Sequence, residues 1–155
     1  MHTLLKWIYL LALIVWMGEV IFFSFVVAPG LFRSFPSAEA GRAVGAIFPT
    51  YYIIGYVCGA ILFAGSVAFL VTGSTPLAWG FSSGLTAVML ASVIYAGAII
   101  QPRAAALRPH IHEASADQAV KDEFSHLHRQ AMMLNGAVLL CGVAVSLITA
   151  AAVRP

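Results

Sequence analysis

Glu19 is the only charged residue deep inside any of the chain's long apolar stretches, so its surroundings decide what chemistry the sequence can support. A carboxyl group at the centre of a membrane helix costs about 2.5–3.5 kcal/mol on insertion scales, and must be paired, protonated or set in a wet cavity. Glu19 lies about nine residues, or ~14 Å, from the C-terminal end of its stretch. The equivalent depth in the other apolar stretches falls at Tyr56, at Ser92 and Tyr95, and at Asn135. Each of these side chains can hydrogen-bond a carboxyl or a carboxylate. Glu19, Tyr56, Tyr95 and Asn135 are therefore expected to form an intramembrane polar cluster. Two roles are open to it: a protonated Glu19 that only ties helices together, or a site that handles a proton or another cation.

A second pattern lies near the C-terminus. His128, Met132, Asn135 and Leu139 follow i, i+4, i+7 and i+11, one helical stripe expected to face a bundle interior. Imidazole and thioether on one stripe suit a soft metal or haem, with His128, His126 and Met132 as candidate ligands. Met17 and Cys58 are further soft donors. No second apolar stretch offers a histidine at matching depth, because His110 and His112 sit in a loop and His2 at the opposite end. The plainer role for His128 is an anchor at the headgroup level. Arg33, Arg42, Arg103 and Arg129, with Tyr52 and His128, are expected at one mouth of the bundle. Lipid-phosphate contacts explain such arginines, and an anion- or partner-binding ring is the sharper alternative. Tyr51, Tyr52, Trp7 and Trp79 read as interface-belt aromatics. Cys58 and Cys141 fall inside apolar stretches and read as buried thiols. No nucleophilic triad, phosphate loop or HExxH motif is present, so a hydrolytic enzyme is not expected. A net charge of +2 gives no reason to expect nucleic acid as a partner.

The elements that must position these residues are unusually plain. Apolar residues make up 61% of the chain and charged residues only 9%, where a soluble domain carries about a quarter charged. Stretches at about 4–28, 47–72, 77–101 and 128–153 each exceed the roughly 20 apolar residues that a helix needs to cross a bilayer. Alternation of the barrel kind is absent, so the expected fold is all-α: an integral membrane four-helix bundle in a single domain. The first stretch is too long for a secretory signal, contains Glu19 and lacks a small-x-small cleavage site, so it is read as a retained span.

Arg33, Arg42, Arg103, Arg108, Lys121 and Arg129 flank loops 1 and 3, against Lys6 and Arg154 on the terminal side. The positive-inside rule then places loops 1 and 3 in the cytoplasm and both termini outside, in a bacterial inner (plasma) membrane. Pro29-Gly30 is expected to stop span 1, and Ser37 to cap a short helix with Glu39 in its first turn. Phe48-Pro49 should then open span 2. Ser115-Ala-Asp-Gln118 has the capping-box form, which predicts one helix from about 116 to 153 that extends span 4 into the cytoplasm. On it, Asp117 and Lys121, and Asp122 and His126, fall at i,i+4. Small residues recur at helix-contact spacing in Gly55-xxx-Gly59, Gly80-xxx-Gly84 and Gly142-xxx-Ser146. They suit close packing within the chain or in a homo-oligomer.

Trp16-Met-Gly, then 27–36 (VAPGLFRSFP), then 41–52 (GRAVGAIFPTYY), resembles the family called transmembrane protein 205 in eukaryotes, whose bacterial members are labelled domain of unknown function. Pro102-Arg103, Phe124-x-x-Leu-His128-Arg and Asn135 extend the resemblance over nearly the whole chain. It implies a four-span fold, with Arg33, Pro49, Tyr52, Arg103, His128 and Asn135 at family-pattern positions. Glu19 departs from the pattern, which has a small, apolar or neutral polar residue there. The eukaryotic member's association with platinum-drug resistance implies metal handling. In fold class the pattern also resembles membrane families that handle copper and porphyrin. Three functions follow as expectations. The first is binding or transport of a metal ion or small solute. The second is a haem-binding membrane oxidoreductase or its accessory subunit. The third is a structural or assembly subunit of a larger membrane complex.

Overall fold

The computed structural model describes residues 2–72, 75–112 and 117–152. Four helices in it are long and apolar enough to cross a membrane: α1 (Thr3–Ser34), α2 (Ser37–Thr72), α3 (Pro76–Leu107) and α4 (Gln118–Ala152). They run up, down, up and down around a closed ring. α2 and α3 share the most extensive contact, α4 packs on α3, and α1 closes the ring against α2 and, more sparsely, α4. The integral membrane four-helix bundle expected from the apolar stretches is the fold. The start of α1, the end of α2, the start of α3 and the end of α4 lie at one end, here the terminal end. Loops 1 and 3, which bring most of the charge, lie at the other, the charged end.

Each helix outruns its apolar stretch. α1 does not stop at Pro29-Gly30 but continues to Ser34. The reason is a π turn at Phe23–Val27, in which the Ala28 N–H reaches back five residues to the Phe23 carbonyl. Widening the helix relieves the clash between a proline ring and the carbonyl four residues earlier. α3 repeats the device: its π turn spans Ala96–Ile100, the Gln101 N–H bonds the Ala96 carbonyl, and Pro102 follows at the same offset as Pro29. Gln101-Pro102 therefore lies inside a helix that runs on to Leu107. Pro49 likewise lies within α2 rather than opening it, because the short helix expected at Ser37 is the first part of α2 itself. Glu39 does sit in that helix's first turn, where the free N–H groups favour a carboxylate.

α4 is 35 residues long, or about 52 Å, and projects beyond the apolar core at the charged end as the sequence predicts. Ser115, the expected cap, lies outside the described residues. Asp117 Oδ1 accepts the Ala119 N–H at 3.2 Å, and Gln118 Nε2 donates to Asp122 at 2.9 Å. Those acids are thus engaged locally rather than with Lys121 and His126.

The core forms where glycines let large side chains reach a neighbouring backbone. The Trp16 ring of α1 lies over Gly55 and Gly59 of α2, Tyr9 over Gly65, and Met17 over Gly142 of α4. Trp79, expected at the membrane interface, is instead buried against Phe69 and Tyr9, with ring centroids 4.6 and 5.7 Å away. Trp7 does face outward. Of the small-residue pairs, Gly55/Gly59 and Gly142 serve packing within the chain, whereas Gly84 has open space over it. Replacing Gly142 by leucine should therefore destabilise the detergent-solubilised protein by about 1–3 kcal/mol through overpacking against Met17. Gly84→Leu should be close to neutral in the same thermal or denaturant unfolding measurement.

Candidate intramembrane polar site

Three helices meet in a hydrogen-bonded chain within the half of the bundle nearer the charged end. The Tyr51 hydroxyl of α2 donates to Asn135 Oδ1 of α4 at 2.5 Å, and Asn135 Nδ2 donates to Ser24 Oγ of α1 at 2.9 Å. Ser24 belongs to the first π turn. Hydrocarbon offers these groups no alternative partner, so the chain ties α1, α2 and α4 together. Tyr51 is held in place by Phe23, 5.0 Å away between ring centroids, and by Phe48 at 6.3 Å. Tyr52 packs edge-on against Tyr51 at 5.5 Å and stacks with Tyr56 at 6.4 Å. Both Tyr52 and Tyr56 lie over Gly97 in the second π turn, where a side chain would collide with them. The two π turns therefore flank one tyrosine cluster.

Glu19 adjoins this arrangement. Its carboxyl lies within electrostatic reach of Tyr51 and of the Cys58 thiol. Oε2 is sealed from solvent and has no hydrogen-bond partner among the described residues, while the side chain as a whole is only half-buried. One oxygen is thus enclosed without a partner on a group that can still be reached from outside the bundle.

Of the expected cluster, Asn135 is hydrogen-bonded to Tyr51 and Glu19 lies only within its electrostatic reach; the position of Tyr51 near a span end had suggested an interface role. Tyr56 joins the aromatic group beside Gly97. Tyr95 is not brought in: it is 45% exposed and faces away from the bundle. Ser92 is buried. The histidine stripe is not enclosed either. The buried line of α4 runs through Leu127, Val138, Gly142, Val145 and Thr149, and positions 128, 132, 135 and 139 are turned from it by about 60–120°. Asn135 and Leu139 are half-buried on its flank, but His126 and His128 are exposed and Met132 is 55% exposed. His128 stacks in parallel on Phe124 at 6.4 Å. No group of three or more His, Cys, Asp or Glu side chains suited to a metal converges among the described residues. Arg33, Arg42, Arg103 and Arg129 are all exposed at the charged end, with Tyr52 half-buried beneath them.

A second polar knot, unforeseen in the sequence, sits toward the terminal end. The hydroxyls of Tyr9 and Ser82 are 3.0 Å apart and Ser66 lies 3.3–3.4 Å from both, while Ser66 donates to the Leu62 carbonyl at 2.7 Å. All three residues are fully buried. Their spacing reveals nothing in the sequence, because serines in an apolar helix can equally bond back to their own backbone.

Residues 11–113 match the family described as a domain of unknown function, DUF4149. The chain belongs to that family. The matched segment holds Glu19, Ser24, Tyr51 and both π turns, and it ends before α4 and Asn135. No curated protein and no solved structure matches the chain.

The Tyr51–Asn135 bond should show as a coupling in a double-mutant cycle. Tyr51→Phe and Asn135→Leu should each destabilise the protein, and their interaction energy should be about 0.6–1.7 kcal/mol, the range measured for such bonds in membranes.

Proposed function

We propose that this small membrane protein binds a cation, a proton or a metal ion, at Glu19, with the Tyr51–Asn135–Ser24 chain as its polar support. The observation that carries this reading is the half-buried carboxyl with one sealed oxygen that has no partner among the described residues. A carboxyl in that position is costly unless it is protonated or has captured a positive charge. Two helices contribute to the setting, α1 through Glu19 and α2 through Tyr51 and Cys58, so a change of charge at Glu19 acts directly on a helix contact. The motif resemblance to the transmembrane protein 205 family, whose eukaryotic member is associated with platinum-drug resistance, supports a metal among the candidate cations. Movement of the bound ion across the membrane would be the function such a site serves.

The positive flanks of loops 1 and 3 support a cytoplasmic charged end, with the termini outside. A reporter enzyme fused at the C-terminus should accordingly be active only when it is of the kind that requires export.

Dicyclohexylcarbodiimide tests the site itself, since it modifies protonated carboxyls in apolar surroundings. Mass spectrometry of the labelled, detergent-purified protein should locate the adduct on Glu19, and Glu19→Gln should abolish it. Copper, zinc and sodium ions, added separately, should identify the occupant by protection, and raising pH should slow labelling if a proton is the occupant. An unlabelled Glu19, or labelling indifferent to pH and to every ion, would remove the reading.

A further inference from the structure

Arg108 is the one arginine at the charged end that is withdrawn from water. It follows directly on α3, its N–H still bonded to the Ala104 carbonyl at 3.1 Å, and its side chain crosses to α2. There the guanidinium rests on Gly45, in space that any side chain at position 45 would fill. Burial holds the group below its ordinary pKa, as expected for a cation taken out of water. Among the described residues no carboxylate or other acceptor bonds to it. A partly buried guanidinium calls for an anion, and its planar fork of donors suits the paired oxygens of a phosphate.

The position of this group points to the kind of anion. Gly45 lies three residues after Arg42, the last charged residue before the apolar stretch at about 47–72, and the Arg108 guanidinium reaches back to that level from just beyond α3. Both therefore sit at the boundary where the headgroups of one leaflet meet hydrocarbon. Arg42 is three residues before Gly45, on the same face of α2 and one turn nearer the loop, and it is exposed. A phosphate beside Gly45 would have Arg108 on one side and Arg42 above it.

We propose that Arg108, seated on Gly45, and Arg42 form a binding site for the phosphate group of an anionic phospholipid. The lipid's chains would lie along the outward faces of α2 and α3. The site is separate from Glu19 and does not depend on what Glu19 binds.

Native mass spectrometry of the detergent-purified full chain, titrated with phosphatidylglycerol or phosphatidylcholine, tests the assignment. Phosphatidylglycerol should bind more tightly than phosphatidylcholine. Arg108→Gln should weaken phosphatidylglycerol about tenfold or more, the loss expected for a charge-assisted bond. Arg42→Gln should weaken it by a smaller factor, and Arg129→Gln, on α4 at the same end, should leave it unchanged. If Arg108→Gln does not fold, the Arg42→Gln and Arg129→Gln pair decides by the same criterion. Unaltered binding in Arg108→Gln would overturn the site, as would an equal loss in Arg129→Gln, which would indicate diffuse charge. Displacement of the lipid by millimolar inorganic phosphate would reassign the site to a free anion and overturn the lipid.

Discussion

Hydrocarbon cannot hydrogen-bond, and nearly everything in this structure follows from that. Each backbone group must find its partner within the chain, so the apolar stretches become helices, and each buried hydroxyl or amide must reach another helix or its own backbone. The Tyr9–Ser66–Ser82 knot and the Tyr51–Asn135–Ser24 chain are two solutions to this demand, one in each half of the bundle. They join α1, α2, α3 and α4 at two levels, while the rings of Trp16, Trp79 and Phe69 fill the space around them. Among the described residues the demand is not met at the Thr149 hydroxyl of α4, nor at Glu19, the one such group that can carry a charge, where one oxygen is enclosed with no partner.

The same constraint explains the two π turns. A proline inside a membrane helix removes one N–H and leaves a carbonyl that water cannot reach. Pro29 and Pro102 each follow a widened turn at the same offset. The widening lets the helix continue past the proline to the charged end, so the residues there are carried on helices rather than on a loose loop. It also changes which side chains the helix presents. Ser24 reaches Asn135 from within one π turn, and Gly97 in the other makes room for Tyr52 and Tyr56. The prolines thus shape the polar site although they take no part in its bonds.

The number of spans, their helical nature, the long projection of α4 and the isolation of Glu19 were legible in the sequence. They depend on composition and length, which need no knowledge of neighbours. Depth along a helix was legible too: it set Glu19, Tyr56 and Asn135 at one level, although Asn135 bonds Tyr51 and Ser24 rather than Glu19. Azimuth was not. Tyr51, whose place near a span end suggested an interface role, turns inward, whereas Tyr95, expected in the cluster, turns outward. A stripe of period 3.6 shows that residues share a face but not which face is buried. That is why His128 and Met132 lie outside while Asn135 joins the interior edge. Helix ends were misjudged at Pro29, Pro49 and Pro102, because a π turn or an uninterrupted helix through proline leaves no signature in residue type.

Sequence alone determined that this chain is four membrane helices with one acidic group stranded among them, since hydrophobic length and charge placement are properties of single segments. Tertiary structure decided the rest: which tyrosine adjoins that acid, which glycines are contacts, and that Arg108 lies against Gly45 without a protein acceptor among the described residues. Those facts depend on how each helix is rotated about its axis. Rotation is set by the combined packing of all four helices, and no single segment encodes it.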